Sequence, residues 1–199
     1  MSQTFIAQSE FILGGQKSGK SRRAEELART WLAQSPQHRA VLIATAQPWD
    51  DEMRERITRH QQDRAERVPG LQTLEEPRDL AGMLVQHARA DTLVVIDCLT
   101  MWLTNWLMPI EEQPEELKKK RPVPPDYLEQ RALFLEAIQN AAGPVILVGN
   151  EIGLGVIPLG REVRAFVDAL GTLNQAVAQA CSRVTLMAAG LPLSLKDAT

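Results

Sequence analysis

The feature that most constrains this chain is a stretch near its start that matches G-x-x-x-x-G-K-[ST], the pattern called the P-loop. It covers residues 14–21 and reads GGQKSGKS. Residues 11–13 before it are apolar and predict a buried strand, and residues 22–31 after it carry apolar side chains at helical spacing. Strand, glycine-rich turn and helix therefore follow one another in the order that a phosphate-binding loop requires.

The residue types within the motif suit a nucleoside triphosphate. Gly14 and Gly19 can adopt backbone angles closed to other residues, so that successive N–H groups turn towards one phosphate at the positive end of a helix. Lys20 supplies a charge for the β- and γ-phosphates, and the Ser21 hydroxyl is placed to reach Mg²⁺. A glycine-rich turn that matches by chance is the alternative, which the flanking strand and helix disfavour. The predicted loop residues for nucleotide binding are Gly14, Gly15, Gln16, Lys17, Ser18, Gly19, Lys20 and Ser21.

Length and composition exclude several classes of protein. With 199 residues, 44% of them hydrophobic, we expect one domain over residues 1–199, with residues 1–9 as a polar, partly ordered extension. A net charge of −3 argues against a large nucleic-acid-binding face. We expect neither a signal peptide nor a membrane span, and Cys98 and Cys181, far apart in sequence, suggest a reducing cytoplasm.

Apolar runs alternate with helical patterns along the chain. We predict further strands at residues 40–44, 72–74, 92–96, 145–148, 184–187 and 193–195, and helices at residues 50–67, 79–90, 99–107, 126–141 and 161–181. This alternation predicts an α/β protein with the three-layer P-loop NTPase (RecA-like) fold, a mainly parallel sheet with helices on both faces. Residues 108–125 hold five prolines and predict a solvated, mobile loop.

Ligands of such sheets lie beyond the carboxyl ends of the strands. This rule brings Thr45, Asp97 and the segment after Gly149 next to the P-loop, and Thr45 is therefore a further predicted nucleotide-binding residue. Asp97 ends an apolar strand, where an acid can hold Mg²⁺ directly or through water, although it can equally cap the next helix. Ser21 and Asp97 are the predicted magnesium ligands.

Glu151 follows another predicted strand end and precedes Gly153 and Gly155, which permit close approach of the backbone to a ligand. Its carboxylate is a candidate metal-side group or base. A turn with a solvated glutamate is an equally good interpretation.

His60 lies on the predicted helix at residues 50–67. Helical spacing puts it on one stripe with three other residues, Met53, Ile57 and Arg64. Spacing alone favours a partly buried imidazole in a packing interface. The alternative is a nucleophilic or acid–base imidazole held near the phosphates.

Blocks of sequence well beyond the P-loop carry a more specific signal. They are residues 43–47, 51–53, 56–57, His60, 97–100, 103–105, 150–153, Pro158, Arg161, Arg164, Phe166, Asp168, Gly171 and 174–175. Together with the P-loop, they resemble the bifunctional adenosylcobinamide kinase / adenosylcobinamide-phosphate guanylyltransferase family of cobalamin biosynthesis. The blocks follow the family's order between residues 11 and 196, which makes the resemblance highly specific.

The resemblance implies two reactions, phosphorylation of adenosylcobinamide by ATP or GTP and attachment of GMP with release of pyrophosphate. It implies that His60 carries the GMP covalently, the reverse of what spacing alone favours. It also implies small-molecule partners and a homotrimer. Mg²⁺ is the cofactor expected from the P-loop and Asp97, no nucleic-acid partner is expected from the charge balance, and the expected location is the cytoplasm. The predicted catalytic residues are His60, Lys20, Asp97 and Glu151. A kinase that lacks guanylyl transfer and a nucleotide-dependent switch that binds a partner protein are the alternatives.

Overall fold

The computed structural model of the chain describes residues 5–48, 51–108 and 124–197, apart from the side chains of Glu52, Met53, Arg56, Ile57 and His60. Parts of three predicted segments fall outside these residues: residues 1–4 of the predicted extension, residue 50 of the predicted helix 50–67, and residues 109–123 of the predicted loop 108–125.

The strands of the described chain form one sheet in the spatial order β3-β2-β4-β5-β1-β6-β7. Neighbours among the first six strands run parallel, and the last strand pairs antiparallel with β6. The predicted mainly parallel sheet is therefore confirmed. The strands are β1 (Ser9–Gly14), β2 (Arg39–Ala44), β3 (Leu71–Glu75), β4 (Thr92–Asp97), β5 (Val145–Asn150), β6 (Arg183–Ala188) and β7 (Leu191–Lys196).

Helices cover both faces of the sheet, as the alternation in sequence predicted. They are α1 (Lys20–Gln34), α2 (Asp51–Arg67), α3 (Leu80–His87), α4 (Leu99–Leu107), α5 (Pro125–Asn140) and α6 (Arg161–Ala180). Successive strand residues point to opposite faces. Ile12 of β1 accordingly packs in one core cluster with Leu27 of α1, whereas Phe11 packs in the other with residues of α3 to α6. The chain thus forms three layers.

The first strand begins earlier than its apolar run suggests. β1 starts at Ser9, which pairs with Val145 and whose hydroxyl accepts from the N–H of Ser182 at 2.9 Å. Ala7 is fully buried, and the Gln8 side chain donates to Ala141 O at 2.8 Å. The prediction of a partly ordered extension is therefore wrong for residues 7–9, because backbone pairing with neighbouring strands extends past the hydrophobic residues.

Candidate active site

The P-loop joins the centre of the sheet to the first helix, since β1 ends at Gly14 and α1 begins at Lys20. Gly19 adopts φ 102° and Lys17 adopts φ 55°, both left-handed angles. Gly14 has no room for a side chain, because an added Cβ would lie 2.5 Å from the backbone oxygen of Met187 and 2.5 Å from Ser18 Oγ. The predicted strand–turn–helix arrangement is confirmed, and the loop is packed tightly against a neighbouring strand.

The turn between β6 and β7 supports the P-loop from the side, a contact that sequence reasoning missed. Gly190 N–H donates to Ser18 O at 3.0 Å. The turn has two consecutive left-handed residues, Ala189 at φ 51° and Gly190 at φ 80°, as tight hairpins require. The Ala-Gly pair between two apolar runs was the available signal. A C-terminal hairpin therefore helps to shape the phosphate-binding loop.

Lys20 is buried at the end of this loop. Its Nζ donates to the carbonyl oxygen of Gly15 at 2.6 Å. Burial lowers the pKa of the Lys20 ammonium, while the nearby Cys98 and Asp97 oppose that shift. The predicted phosphate-binding lysine thus lies close to the predicted metal-binding acid.

Asp97 lies at the carboxyl end of β4, two strands away from β1 at the same edge of the sheet. Its Oδ2 is 3.9 Å from Nη2 of Arg64. Cys98, and not Asp97, is the N-cap residue of α4, and no side chain caps that helix. The alternative interpretation of Asp97 as a helix cap is therefore wrong, and its carboxylate faces charged groups at the phosphate site.

Thr45 is fully buried beside Asp97. Its hydroxyl donates to Cys98 O at 2.7 Å and accepts from Cys98 N–H at 2.9 Å, and its own N–H donates to Asp97 O at 3.2 Å. The Asn105 side chain donates to Thr45 O at 2.8 Å. The hydroxyl of Thr45, which we predicted as a nucleotide-binding residue, thus bonds the backbone of Cys98, next to Asp97. Asn105 was named only within the block 103–105 and received no role, although an asparagine in the apolar segment LTMWLTNWL is a signal of a buried polar contact.

Glu151 is joined to the P-loop strand through its backbone, since its N–H donates to Gly14 O at 3.1 Å. Its Oε1 accepts from Gly153 N–H at 2.6 Å, the arrangement expected of the turn interpretation. The preceding Asn150 is held on both sides, because its N–H donates to Thr100 Oγ1 at 3.0 Å and its carbonyl accepts from Asn174 at 3.1 Å. This segment is therefore fixed next to the phosphate-binding loop.

The C-terminal half of α2 is bound to the site by a group of buried charges that sequence reasoning did not recognise. Arg64 lies between two carboxylates, with Nε 3.7 Å from Glu25 Oε1 of α1 and Nη2 3.9 Å from Asp97. Arg67 adds a contact of 3.1 Å to Glu25. The sequence showed Arg64 only as one member of the stripe that includes His60. Since the side chain of His60 is not described, its place relative to the phosphates stays a prediction.

Two of the predicted residues provide oxygen ligands of the kind that Mg²⁺ prefers. Ser21 is the second residue of α1, and Asp97 lies at the same edge of the sheet. Among the residues that the structure describes, no group of three or more His, Cys, Asp or Glu side chains could hold a metal ion. The hydroxyl of Ser21 and the carboxylate of Asp97 are donors of the type found at Mg²⁺ sites that also take substrate phosphates and waters as ligands.

A parallel sheet that bears a P-loop after its first strand and an acid at the end of another defines a P-loop nucleotide-binding protein. The flagellar accessory protein FlaH from Methanocaldococcus jannaschii shares this fold, with a TM-score of 0.50, 13% identity and coverage of 97% of this chain and 80% of that one. Within this class, the family model described as cobinamide kinase / cobinamide phosphate guanyltransferase matches residues 10–195. The chain belongs to that family.

Curated relatives agree with this membership over almost their whole length. The bifunctional adenosylcobalamin biosynthesis protein CobP of Pseudomonas aeruginosa is 45% identical, over 94% of this chain and 96% of its own. Proteins of the corresponding name, CobU, from Salmonella typhimurium and Escherichia coli are 32% and 33% identical, each over 93% of this chain and 98% of its own. Throughout the described part of the chain, no helix has the length and hydrophobicity needed to cross a membrane.

Proposed function

We propose that this protein catalyses two successive transfers, phosphorylation of adenosylcobinamide and attachment of GMP to the phosphorylated product. The observation that carries the proposal is the family match over residues 10–195, on a chain whose P-loop has the geometry of a phosphate site. ATP and GTP are the nucleotide substrates. The family match does not support the alternative of a nucleotide-dependent switch. The matched family is described by two group-transfer activities, whereas a switch transfers no group to an acceptor molecule.

In the first reaction, the P-loop holds the β- and γ-phosphates of the nucleotide. The hydroxyl oxygen of the aminopropanol arm attacks the γ-phosphorus, the bond from that phosphorus to the β,γ-bridging oxygen breaks, and the nucleoside diphosphate leaves with the electron pair while the hydroxyl proton is released. Lys20 lies beside the loop carbonyl of Gly15 and is placed to stabilise negative charge on the phosphates. Ser21 and Asp97 would hold Mg²⁺, which would supply further charge neutralisation.

In the second reaction, the same loop holds the part of GTP that departs. A neutral imidazole nitrogen of His60 attacks the α-phosphorus, the bond to the α,β-bridging oxygen breaks, and pyrophosphate leaves. A phosphate oxygen of adenosylcobinamide phosphate then attacks the same phosphorus. The P–N bond breaks, which gives adenosyl-GDP-cobinamide and returns the free histidine.

Two other predicted residues receive more specific roles. We assign Thr45 as a positioning residue, because its hydroxyl bonds both the N–H and the carbonyl oxygen of Cys98, the residue that follows Asp97. Glu151 stays a proposed catalytic carboxylate, because the bond from its backbone N–H to Gly14 O keeps the residue beside the P-loop. The alternative is that its carboxylate only shapes the turn, since Oε1 accepts from Gly153 N–H.

A homotrimer is part of the proposal, and an exposed apolar segment after β5 supports an assembly of copies. Six large apolar side chains of residues 152–163 face solvent in the single chain, among them Val156 and Leu159 at 96% and 97% exposure. Surfaces of this kind usually contact another molecule. The molar mass from light scattering tests the trimer.

The use of nucleoside triphosphates and the two free cysteines support a cytoplasmic location.

The decisive experiment follows the label from α-³²P-GTP into the protein. Wild type is expected to form an adduct that is labile in acid and stable in base, as a phosphoramidate is, and His60→Ala is expected to form none while it still phosphorylates adenosylcobinamide. An undiminished adduct in His60→Ala would refute the histidine assignment. Kinase activity without any adduct in wild type would establish the kinase-only alternative.

A further inference from the structure

We propose that Arg64 is a positioning residue that sets the orientation of α2 against the phosphate site, and that guanylyl transfer depends on it while the kinase reaction does not. The inference rests on the proposed function. It begins from a buried guanidinium, 8% exposed, that lies between Glu25 of α1 and Asp97 of β4. Three separate elements therefore meet at one side chain.

The contacts of Arg64 are unusual for a purely structural ion pair. Charge-assisted bonds of arginine normally measure about 2.7–2.9 Å, whereas the two carboxylate contacts here measure 3.7 and 3.9 Å. The Nε atom of Arg64 has no hydrogen-bond partner among the described residues. Burying a cation without close hydrogen bonds is costly. A cation is nevertheless kept at this position, where it joins α2 to acids on two other elements, Glu25 of α1 and Asp97 of β4.

Helix geometry connects this contact to guanylyl transfer. Positions 60 and 64 lie one turn apart on the same face of an α-helix. A contact that holds position 64 against Asp97 therefore fixes the rotation of α2 about its axis at the level of position 60. In the proposed mechanism α2 contributes a group only to guanylyl transfer, because phosphoryl transfer uses the P-loop and the acceptor hydroxyl. Loss of the contact is thus expected to separate the two activities.

Arg67 offers a matched control on the same helix. It contacts the same carboxylate, Glu25, at 3.1 Å, and also pairs with Asp63 at 2.9 Å. Unlike Arg64, its side chain is 49% exposed, and its described salt bridges do not include Asp97. Its pair with Asp63 is exposed on both sides and contributes little. Removing the charge of Arg67 therefore perturbs α2 and Glu25 but leaves the contact between Arg64 and Asp97 in place.

The experiment compares Arg64→Gln, Arg64→Lys and Arg67→Gln in single-turnover formation of the labelled adduct and in steady-state kinase assays. Arg64→Gln is expected to slow adduct formation at least about tenfold, since small misplacements of a reacting group have large kinetic effects. Its kinase kcat and KM are expected to stay within about threefold. Arg64→Lys, which keeps the charge but not the planar fork, should recover part of the rate. Arg67→Gln should stay within about twofold of wild type in both assays.

A second measurement does not depend on activity. Amide hydrogen exchange of peptides from residues 51–67, without nucleotide, is expected to rise more in Arg64→Gln than in Arg67→Gln, because local opening reports the loss of an anchor and Arg64 joins α2 to both Glu25 and Asp97. Exchange in β1 and β5 is expected to be unaffected. Uniformly faster exchange would indicate general destabilisation and would overturn the positioning role.

The results also separate this inference from the proposed function. An equal loss of adduct and kinase activity in Arg64→Gln would overturn the inference, since Arg64 would then act on the shared phosphate site. Normal adduct formation would overturn it as well. If wild type forms no adduct at all, the proposed function fails, and hydrogen exchange alone decides whether Arg64 anchors α2. If Arg64→Gln does not fold, the activities and exchange of Arg64→Lys decide in the same way.

Discussion

Substitution of Thr45 tests its proposed role as a positioning residue, because its fully buried hydroxyl makes two hydrogen bonds. The hydroxyl bonds the carbonyl oxygen of Cys98 at 2.7 Å and its N–H at 2.9 Å. Thr45→Val replaces that hydroxyl with a methyl group of similar size. Thr45→Ser keeps the hydroxyl and removes the methyl group, which makes it the matched control.

The expected magnitudes follow from these contacts. Each buried backbone group of Cys98 left without a partner costs about 1–3 kcal/mol, and burying one more methyl group returns about 0.8 kcal/mol. Thr45→Val should therefore lower the free energy of unfolding by about 3 kcal/mol. Thr45→Ser, which deletes one buried methyl group, should lower it by about 1 kcal/mol.

Urea unfolding followed by tryptophan fluorescence measures this difference. With a slope of about 2 kcal/mol per molar urea, the midpoint should fall by about 1.5 M for Thr45→Val and by about 0.5 M for Thr45→Ser. The affinity for Mg·GTP should also fall in Thr45→Val, because the backbone that carries Asp97 loses its support.

The opposite pattern would refute the positioning role. If Thr45 contacts the nucleotide directly, Thr45→Val should weaken nucleotide binding while its urea midpoint stays close to that of Thr45→Ser. Equal stabilities of the two variants would show that the hydroxyl does not satisfy the backbone of Cys98 in solution.

Other predictions concern the P-loop and the cysteines. Gly14→Ala, whose added Cβ would lie 2.5 Å from a backbone oxygen, should lose about 2–4 kcal/mol in thermal unfolding, whereas Gly15→Ala, whose Cβ meets nothing within 4 Å, should stay within about 0.5 kcal/mol. Lys20→Met should weaken Mg·GTP binding at least about tenfold by isothermal titration calorimetry, since a buried cation at the phosphates is lost. Burial raises the pKa of Cys98 from 9.0 to about 11 and that of Cys181 to about 12, so the native thiols should react slowly with a disulfide reagent at pH 8. Because the unfolded chain releases these protons first, stability should fall as pH rises from 9 towards 11, as urea unfolding at several pH values can measure.

Much of the architecture could be predicted from sequence because local patterns and tertiary contacts agree. The helix predicted at residues 99–107 has the bounds of α4, Leu99–Leu107, and the buried strand predicted at residues 92–96 lies within β4. Boundaries shifted where distant neighbours decide them. Ser9 belongs to β1 because it pairs with Val145 of β5, and nothing in the residue type of Ser9 predicts this pairing.

The site was predictable to the extent that one residue type implies one role. The glycines of the P-loop and Lys20 are of this kind. Thr45 was placed correctly at a strand end, but the direction of its hydroxyl depends on Cys98, 53 residues later in the chain. The ion-pair role of Arg64 could not be predicted for the same reason, since it depends on α1 and β4 placing Glu25 and Asp97 on either side of the guanidinium.

The position of β1 in the sheet has a consequence for the order in which the protein is assembled. Its two neighbours are β5 and β6, and the turn that bonds Ser18 lies between β6 and β7. During synthesis the P-loop segment leaves the ribosome first among these, yet its strand has no neighbour to pair with until Val145–Asn150 has followed, and its loop has no lateral support until Gly190 has. Long-range pairing of this kind slows folding. The nascent chain therefore acquires its capacity to hold a nucleotide only after Gly190 has been made, although the residues that define that capacity, 14–21, are made long before it.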